Sequence, residues 1–333
     1  MSFELILPFF PEELRALLLD NSISDLMING TTGVYADRHG VVERIDLSTP
    51  YTNERLQAAI ERVARILGQD LTTQNPILNT RLPDGSRVAV VGPPSSIHGP
   101  TLTIRKFNHW YSTDELIAKG SLTLPVRDRV VGFMAEKKNG IISGGTGSGK
   151  TTQMKAFLDH LPLEDRLLII EQPAELRVLQ PHAVRWEAVD AIPGQVAVTP
   201  SELLAAALRH RPDRIIIGEV RNECAYDLLQ AMNTGHGGTL STIHAKSALD
   251  ALHRLSNLAL SARPNLNHAF IRSETAEALD FVLHCERDHT GARRVRELLT
   301  VSGYSHTEHC FQTEELYRAP APAGPRLSVA APA

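Results

Sequence analysis

The chain is poor in cysteine, with three thiols in 333 residues. Cys224, Cys285 and Cys310 form no C-x-x-C pair, which excludes a disulfide framework and a four-thiolate zinc site and suits a reducing compartment. An excess of positive charge is also missing. Against 34 Lys and Arg stand 38 Asp and Glu, a formal charge of -4, which argues against a general nucleic-acid binder. No segment offers the eighteen or so consecutive apolar residues needed to cross a bilayer. At the amino terminus, Glu4 stands where a signal peptide carries positive charge, and Pro8 and Pro11 interrupt the apolar run. The expected location is therefore cytoplasmic, or at a membrane through partners. What is present, 42% hydrophobic and 22% charged residues, is the balance of a soluble globular protein and excludes disordered or collagen-like chains. The length suggests about two domains, each able to bury its own core. His306, His309 and Cys310 invite a metal reading, but no second cluster has ligand spacing, and we read them as solvated surface groups.

The pattern along the chain changes once. Up to Phe107, short alternating runs such as Gly33 to Asp37 and Arg87 to Val91 surround one helical stretch, Glu54 to Leu67. Leu56, Ile60, Val63, Ala64 and Leu67 recur there at helical spacing. Residues 1–107 are thus expected to form a small α+β domain, and 108–125 a linker with a short helix begun by Ser112 or Thr113. From about Val126 short apolar runs (Ile141-Ile142, Leu167 to Ile170, Ile215 to Ile217, Leu240 to Ile243) alternate with helical ones. The helical runs are Thr151 to His160, Ser201 to His210, Asn222 to Met232 and Ser247 to Leu260. That alternation predicts an α/β domain with a mainly parallel sheet over 126–310. Residues 311–333, rich in Pro and Ala from Ala319 on, are expected to be a disordered tail.

Gly144-Gly145-Thr146-Gly147-Ser148-Gly149-Lys150-Thr151 matches G-x-x-x-x-G-K-[ST] between an apolar run and a helical one, with Thr152 following. Glycines let successive backbone N-H groups turn around phosphate oxygens, and the helix amino terminus adds its dipole. Lys150 would reach the β- and γ-phosphates while the Thr151 hydroxyl joins a magnesium ion. ATP and Mg2+ are the expected ligands. Arg214-Ile-Ile-Ile-Gly218-Glu219 is a buried strand delivering a carboxylate to the carboxyl edge of the sheet, where Glu219 could orient or deprotonate water. A surface ion pair with Arg221 is the alternative. A third strand ends in Glu171, with Glu175 four residues on, and two such carboxylates suit water activation and magnesium placement. His236 and His244 flank the strand that follows the Glu219 segment, as sensors of the γ-phosphate would.

Together these elements, with the run Arg211-Pro-Asp-Arg-Ile-Ile-Ile-Gly-Glu-Val-Arg221, resemble the type II/IV secretion traffic ATPases. Leu82-Pro-Asp-Gly-Ser-Arg87-Val, Gly99-Pro-Thr-Leu-Thr-Ile-Arg105-Lys-Phe107, Gln180-Pro-His-Ala-Val-Arg185 and Leu229-Gln-Ala-Met-Asn-Thr-Gly-His236 are most similar to the CpaF/TadA group of tight-adherence pili. TrbB-type conjugative ATPases are nearly as similar. The resemblance covers roughly residues 22 to 302. It implies a RecA-like P-loop NTPase domain behind an α+β amino-terminal domain, assembled as a homo-hexamer that works with inner-membrane platform or channel proteins and peripheral at the inner membrane through them; from the charge balance, no direct contact to nucleic acid is expected. By motif it implies Lys150 and Thr151 for phosphate and magnesium, Glu219 as the Walker B glutamate and Glu171 with Glu175 as the acidic box. His236 and His244 take the histidine-box positions, and Arg87 and Arg105 are the amino-domain arginines that close on nucleotide. Arg81 is a weaker candidate. A guanidinium suits that role because it is always charged and grips phosphate through two N-H groups.

The chain departs from the pattern where Gln172 follows Glu171 in place of Asp, and where Lys246 replaces an Asn. An amide is half donor, so metal affinity should fall if that position holds hydrated magnesium. It also begins near the core, without the long extension common in CpaF relatives. The expected function is a hexameric ATPase that drives pilus assembly or protein secretion. A conjugative secretion ATPase and an ATP-binding assembly module with little hydrolysis are the alternatives.

Overall fold

In a computed structural model the described residues are 6–38, 41–48, 52–82, 85–106, 111–189, 196–221 and 224–320. The chain divides into two compact units, Met1–His109 and Trp110–Ala333.

The first unit is a six-stranded antiparallel sheet in the order β3-β2-β1-β6-β5-β4. Its strands are β1 (Ile23–Asn29), β2 (Val34–Arg38), β3 (Val41–Ile45), β4 (Ile77–Arg81), β5 (Arg87–Val91) and β6 (Thr101–Arg105). Helices α1 (Glu12–Leu19) and α2 (Asn53–Ile66) supply its core with the buried sheet face. Helix α2 forms where the spacing predicts it, opened by Thr52, whose hydroxyl accepts from the N-H of Arg55 at 3.3 Å. Leu56, Ala59, Ile60, Val63 and Ala64 are its buried stripe. Truncating Ile60 there should cost about 2–5 kcal/mol. On β5 and β6 Val88, Val90, Leu102 and Ile104 point inward, so Arg87 and Arg105 fall on the outer face by period-2 alternation.

The second unit carries an eight-stranded sheet, β14-β13-β12-β7-β11-β10-β8-β9. Strands β7 (Gly140–Gly144), β8 (Leu167–Glu171), β9 (Ala183–Glu187), β10 (Arg214–Ile217), β11 (Leu240–His244) and β12 (Phe281–Arg287) run parallel. The long β13 (Arg293–Ser305) and β14 (Cys310–Arg318) add an antiparallel edge. Ile215, Ile217, Leu168 and Ile170 pack on one face of the sheet. Ile216, Leu167 and Ile169 pack on the other, which is why these strands are continuous apolar runs. Helices α6 (Pro200–Ala207), α7 (Ala225–Asn233), α8 (Ala248–Ala262) and α9 (His268–Ala278) cover the first face. The other is covered by α3 (Thr113–Ala118), α4 (Leu124–Ala135) and α5 (Lys150–Leu158).

Three expectations need adjusting. Strand β14 extends order to Arg318, because the 311–318 segment pairs with β13 from Ser305↔Cys310 to Glu297↔Arg318; residues 321–333 lie outside the described residues. The stretch taken as a linker contains helix α3, opened by a capping box between Ser112 and Glu115 as its start residue suggested. It also contains the start of α4, both packed in the second unit. The first residues of the helical run expected from Asn222 lie outside the described residues, and α7 begins at Ala225.

Candidate nucleotide site

Parallel strands deliver their carboxyl ends to one edge of the sheet. Strand β7 runs into the glycine loop, and α5 starts at Lys150 with Gly149 as its N-cap at φ +94°, a left-handed conformation that a side chain would strain. Lys150 is buried, and its Nζ donates to the carbonyls of Gly144 at 3.1 Å and Gly145 at 2.8 Å. Burial lowers its pKa, opposed by the charge of Glu219. Lys150 Nζ also stands 3.4 Å from His244 Nδ1, and His244 Nε2 stands 3.5 Å from Glu219 Oε2. Lysine, histidine and glutamate are thus linked in one chain at the ends of α5, β11 and β10. Arg221 Nε lies 3.7 Å from the other Glu219 oxygen, so ion pairing accompanies the strand-end position. The Thr242 hydroxyl donates to the Gly218 carbonyl at 2.6 Å and ties β11 to the turn that bears Glu219.

A cavity of about 490 Å³ opens beside these groups, lined among others by Gln172, Thr199, Glu219, Arg221, His244 and Arg254. Gln172 therefore borders the same space as Glu219 and His244. Glu171, one residue earlier, points into packing. Its Oε1 accepts the N-H groups of Glu175 at 2.8 Å and Leu176 at 2.9 Å, and a Cβ on Gly218 would meet its Cγ at 3.0 Å. Burial pushes the Glu171 carboxyl up to about 7, against the pull of those two N-H groups and of Arg185, whose guanidinium lies 3.8 Å from Oε2. Oε2 is buried without a hydrogen bond. Half of the carboxylate expected at the metal thus caps a backbone turn, and the other half remains as a buried acceptor. The role of Arg185 was not visible in the sequence, since nothing local pairs it with Glu171.

The two histidines do not converge. His244 ends β11 at the edge of the phosphate loop, whereas His236 precedes β11, in the turn after α7. Around it Thr239 N donates to Asn139 Oδ1 at 3.0 Å, and a Cβ on Gly237 would meet the Lys137 carbonyl at 2.8 Å. Residues 137–139 lead into the amino end of β7, so His236 sits at the opposite edge of the sheet from Lys150. The four strand residues Leu240 to Ile243, at about 3.3 Å each, and the turn before them separate the two histidine positions, too far to serve one γ-phosphate within a subunit.

In the first unit the arginines form a row. Arg105 pairs in register with Arg87, and Arg87 with Arg81, across β6, β5 and β4. Arg105 Nε also donates to Asp25 Oδ1 at 2.6 Å, its register partner on β1. Like charges directly opposite one another destabilise a sheet. In this row Asp25 offsets the charge of Arg105.

A family described as type II/IV secretion system protein matches residues 12–316. The chain belongs to this family; it is a secretion-system ATPase. It is 34% identical to the conjugal transfer protein TrbB of Rhizobium radiobacter over 91% of this chain and 93% of that one. With the type IV secretion system protein VirB11 of Bartonella quintana it shares 30% identity over 83% of this chain and 88% of that one. The X-ray structure of the Legionella pneumophila ATPase DotB superposes with a TM-score of 0.65 at 19% identity, over 86% of this chain and 80% of that one, and shows the fold. The family resemblance read from the motifs is confirmed, but these relatives are conjugal-transfer and type IV secretion proteins. They support the conjugative alternative over the tight-adherence preference. No helix among the described residues is long and apolar enough to cross a membrane.

Proposed function

We propose that this protein is the homo-hexameric ATPase of a conjugative type IV secretion machine, docked at the inner membrane through channel proteins. The observation that carries the reading is similarity to a conjugal transfer protein along nearly the whole of both chains. ATP is the proposed substrate, with its phosphates in the loop Gly144 to Thr152. Lys150 neutralises phosphate charge as it leaves the Gly144 and Gly145 carbonyls that hold it in the free loop. Glu219 orients and deprotonates the attacking water, and His244, linked to both Lys150 and Glu219, reports the presence of the γ-phosphate to the Walker B glutamate. Arg87 and Arg105 stabilise phosphate charge in the transition state, a role suited to guanidiniums, which stay charged.

Magnesium fits the donor chemistry. It takes oxygen ligands and keeps several waters, so the Thr151 hydroxyl and the unsatisfied Oε2 of Glu171, with ATP oxygens, form a suitable set. Among the described residues no three His, Cys, Asp or Glu form a metal cluster by themselves. When bound, magnesium would offset the phosphate charge on bond cleavage.

Plasmid transfer from a strain lacking the protein tests the proposal. Transfer should fall to background and return with the unchanged chain but not with Glu219→Gln, while purified Glu219→Gln still binds ATP. Normal transfer combined with loss of surface pili would instead restore the tight-adherence reading. A passive ATP-binding module is kept in view by Gln172, and sustained phosphate release with magnesium excludes it.

A further inference from the structure

The carboxylate and histidine described above flank the phosphate loop on its β11 side. On the other side β12 runs beside β7, with Cys285 opposite Gly144, and turns back into β13. The turn is firmly built. Asp288 Oδ1 accepts the N-H of Thr290 at 2.9 Å and that of Ala292 at 3.1 Å, and Asp288 N donates to the Ala292 carbonyl at 2.9 Å. This hairpin places Arg287 directly opposite Arg293. Cross-strand partners share a face, and these two stand on the face where Cys285 and Val295 are buried further in. The carboxylates of the hairpin occupy the other face, where Glu286 meets Arg296 at 2.8 Å and Asp288 meets Arg294 at 3.9 Å.

Both arginines reach the loop. Arg293 Nε donates to the Gly147 carbonyl at 2.9 Å, and its Cδ would lie 3.7 Å from a Cβ on Gly149. Arg287 Nη1 would lie 3.9 Å from a Cβ on Gly147. Two exposed guanidiniums in direct cross-strand register repel each other. An anion in the loop they border would meet the charge of both.

We propose that Arg287 and Arg293 are a cation pair that holds the phosphate charge of the bound nucleotide from the β12 flank of the loop, and sets nucleotide affinity rather than the rate of bond cleavage. The pair lies on the flank away from Glu219 and His244, so its charge adds to ATP and ADP alike and lowers dissociation of both. Interactions equal in ground and transition state change KM and leave kcat. The inference rests on the loop being the nucleotide site.

The test is binding of N-methylanthraniloyl-ADP by the full chain, with ATP turnover measured in parallel. Arg293→Ala and Arg287→Ala are each expected to weaken ADP binding and raise KM roughly five- to tenfold, the scale of an exposed charge-assisted contact. Turnover at saturation should stay within about twofold. Arg293→Lys, which keeps the charge, should stay within about threefold of the unchanged chain in affinity. The double alanine variant should also show a weaker dependence of ADP affinity on salt. Unchanged ADP affinity in the double variant at low salt overturns the inference, as does a fall in kcat at unchanged affinity, which would mean that Arg293 only shapes the loop. Lys150→Ala separates the two levels. If it binds ADP normally, the loop reading itself fails; if it loses ADP while the double arginine variant keeps it, only the cation pair fails.

Discussion

The positive charges of the two units are prepared in opposite ways. Lys150 is buried at the head of α5, its ammonium already desolvated and resting on two carbonyls beside His244. Arg105 is largely in water, its side chain 64% exposed and tied to Asp25. The two carbonyls and Glu219 offset only part of the desolvation of Lys150, whose pKa burial still lowers, so phosphate that enters the loop meets a charge already stripped of water. A guanidinium in water is screened and worth little until something covers it. The buried lysine therefore suits permanent binding, whereas the role proposed for Arg87 and Arg105 is a contact made during turnover.

The largest test of this contrast is Lys150→Ala. Removing the prepared charge should lower ATP affinity and cut turnover by on the order of a hundredfold or more, as measured by phosphate release. Turnover near that of the unchanged chain would remove the loop from the chemistry. Arg105→Ala should leave ATP binding nearly intact and reduce turnover about tenfold. If it weakens binding as much as Lys150→Ala does, the exposed row is a ground-state site and the contrast collapses.

Glu171 sharpens the comparison from the acidic side, because it too is a buried charge at the same sheet edge. Its folded pKa of about 7 lies above the ordinary value of 4.5. The protonated form thus favours the fold, and that stability is complete below the unfolded value and lost as pH rises from there through about 7. Glu171→Gln, which keeps an acceptor for the N-H groups of Glu175 and Leu176, should raise thermal stability above pH 7 by up to about 3 kcal/mol. The gain should shrink to nothing near pH 4.5, and a gain independent of pH in calorimetric melts would show that burial does not govern this carboxyl. The smallest effect is expected at His236. His236→Ala should change ATP turnover of the purified chain less than about twofold, while His244→Ala should reduce it about tenfold. Equal losses would mean that the far edge of the sheet reaches the site.

Much of the second unit was legible because its physics is local. Buried strands such as Leu167 to Ile170 are apolar on both faces, and the glycine loop repeats a spacing that only a phosphate cradle requires. Strands β13 and β14 went unread because their apolar positions are interleaved with charges, and β12 because its uninterrupted apolar run, Phe281 to Leu283, is only three residues long. Arg293, Arg294 and Arg296 look like a solvated run until the hairpin sorts them onto two faces. Glu171 looked free because the N-H groups that claim it lie in a turn with no motif. The preference among pilus and conjugative relatives rested on short shared runs, and such runs are too brief to separate groups within one family.

By itself the sequence determined the nucleotide loop, the Walker B strand and the membership in secretion ATPases, since each depends on residue types at fixed short spacing. Only the tertiary structure decided which of the flanking groups share an edge. Parallel strands collect their carboxyl ends, so Lys150, Glu219 and His244 meet although about a hundred residues separate the first from the last. His236 is eight residues from His244 in sequence, yet one strand length removes it to the other side of the sheet.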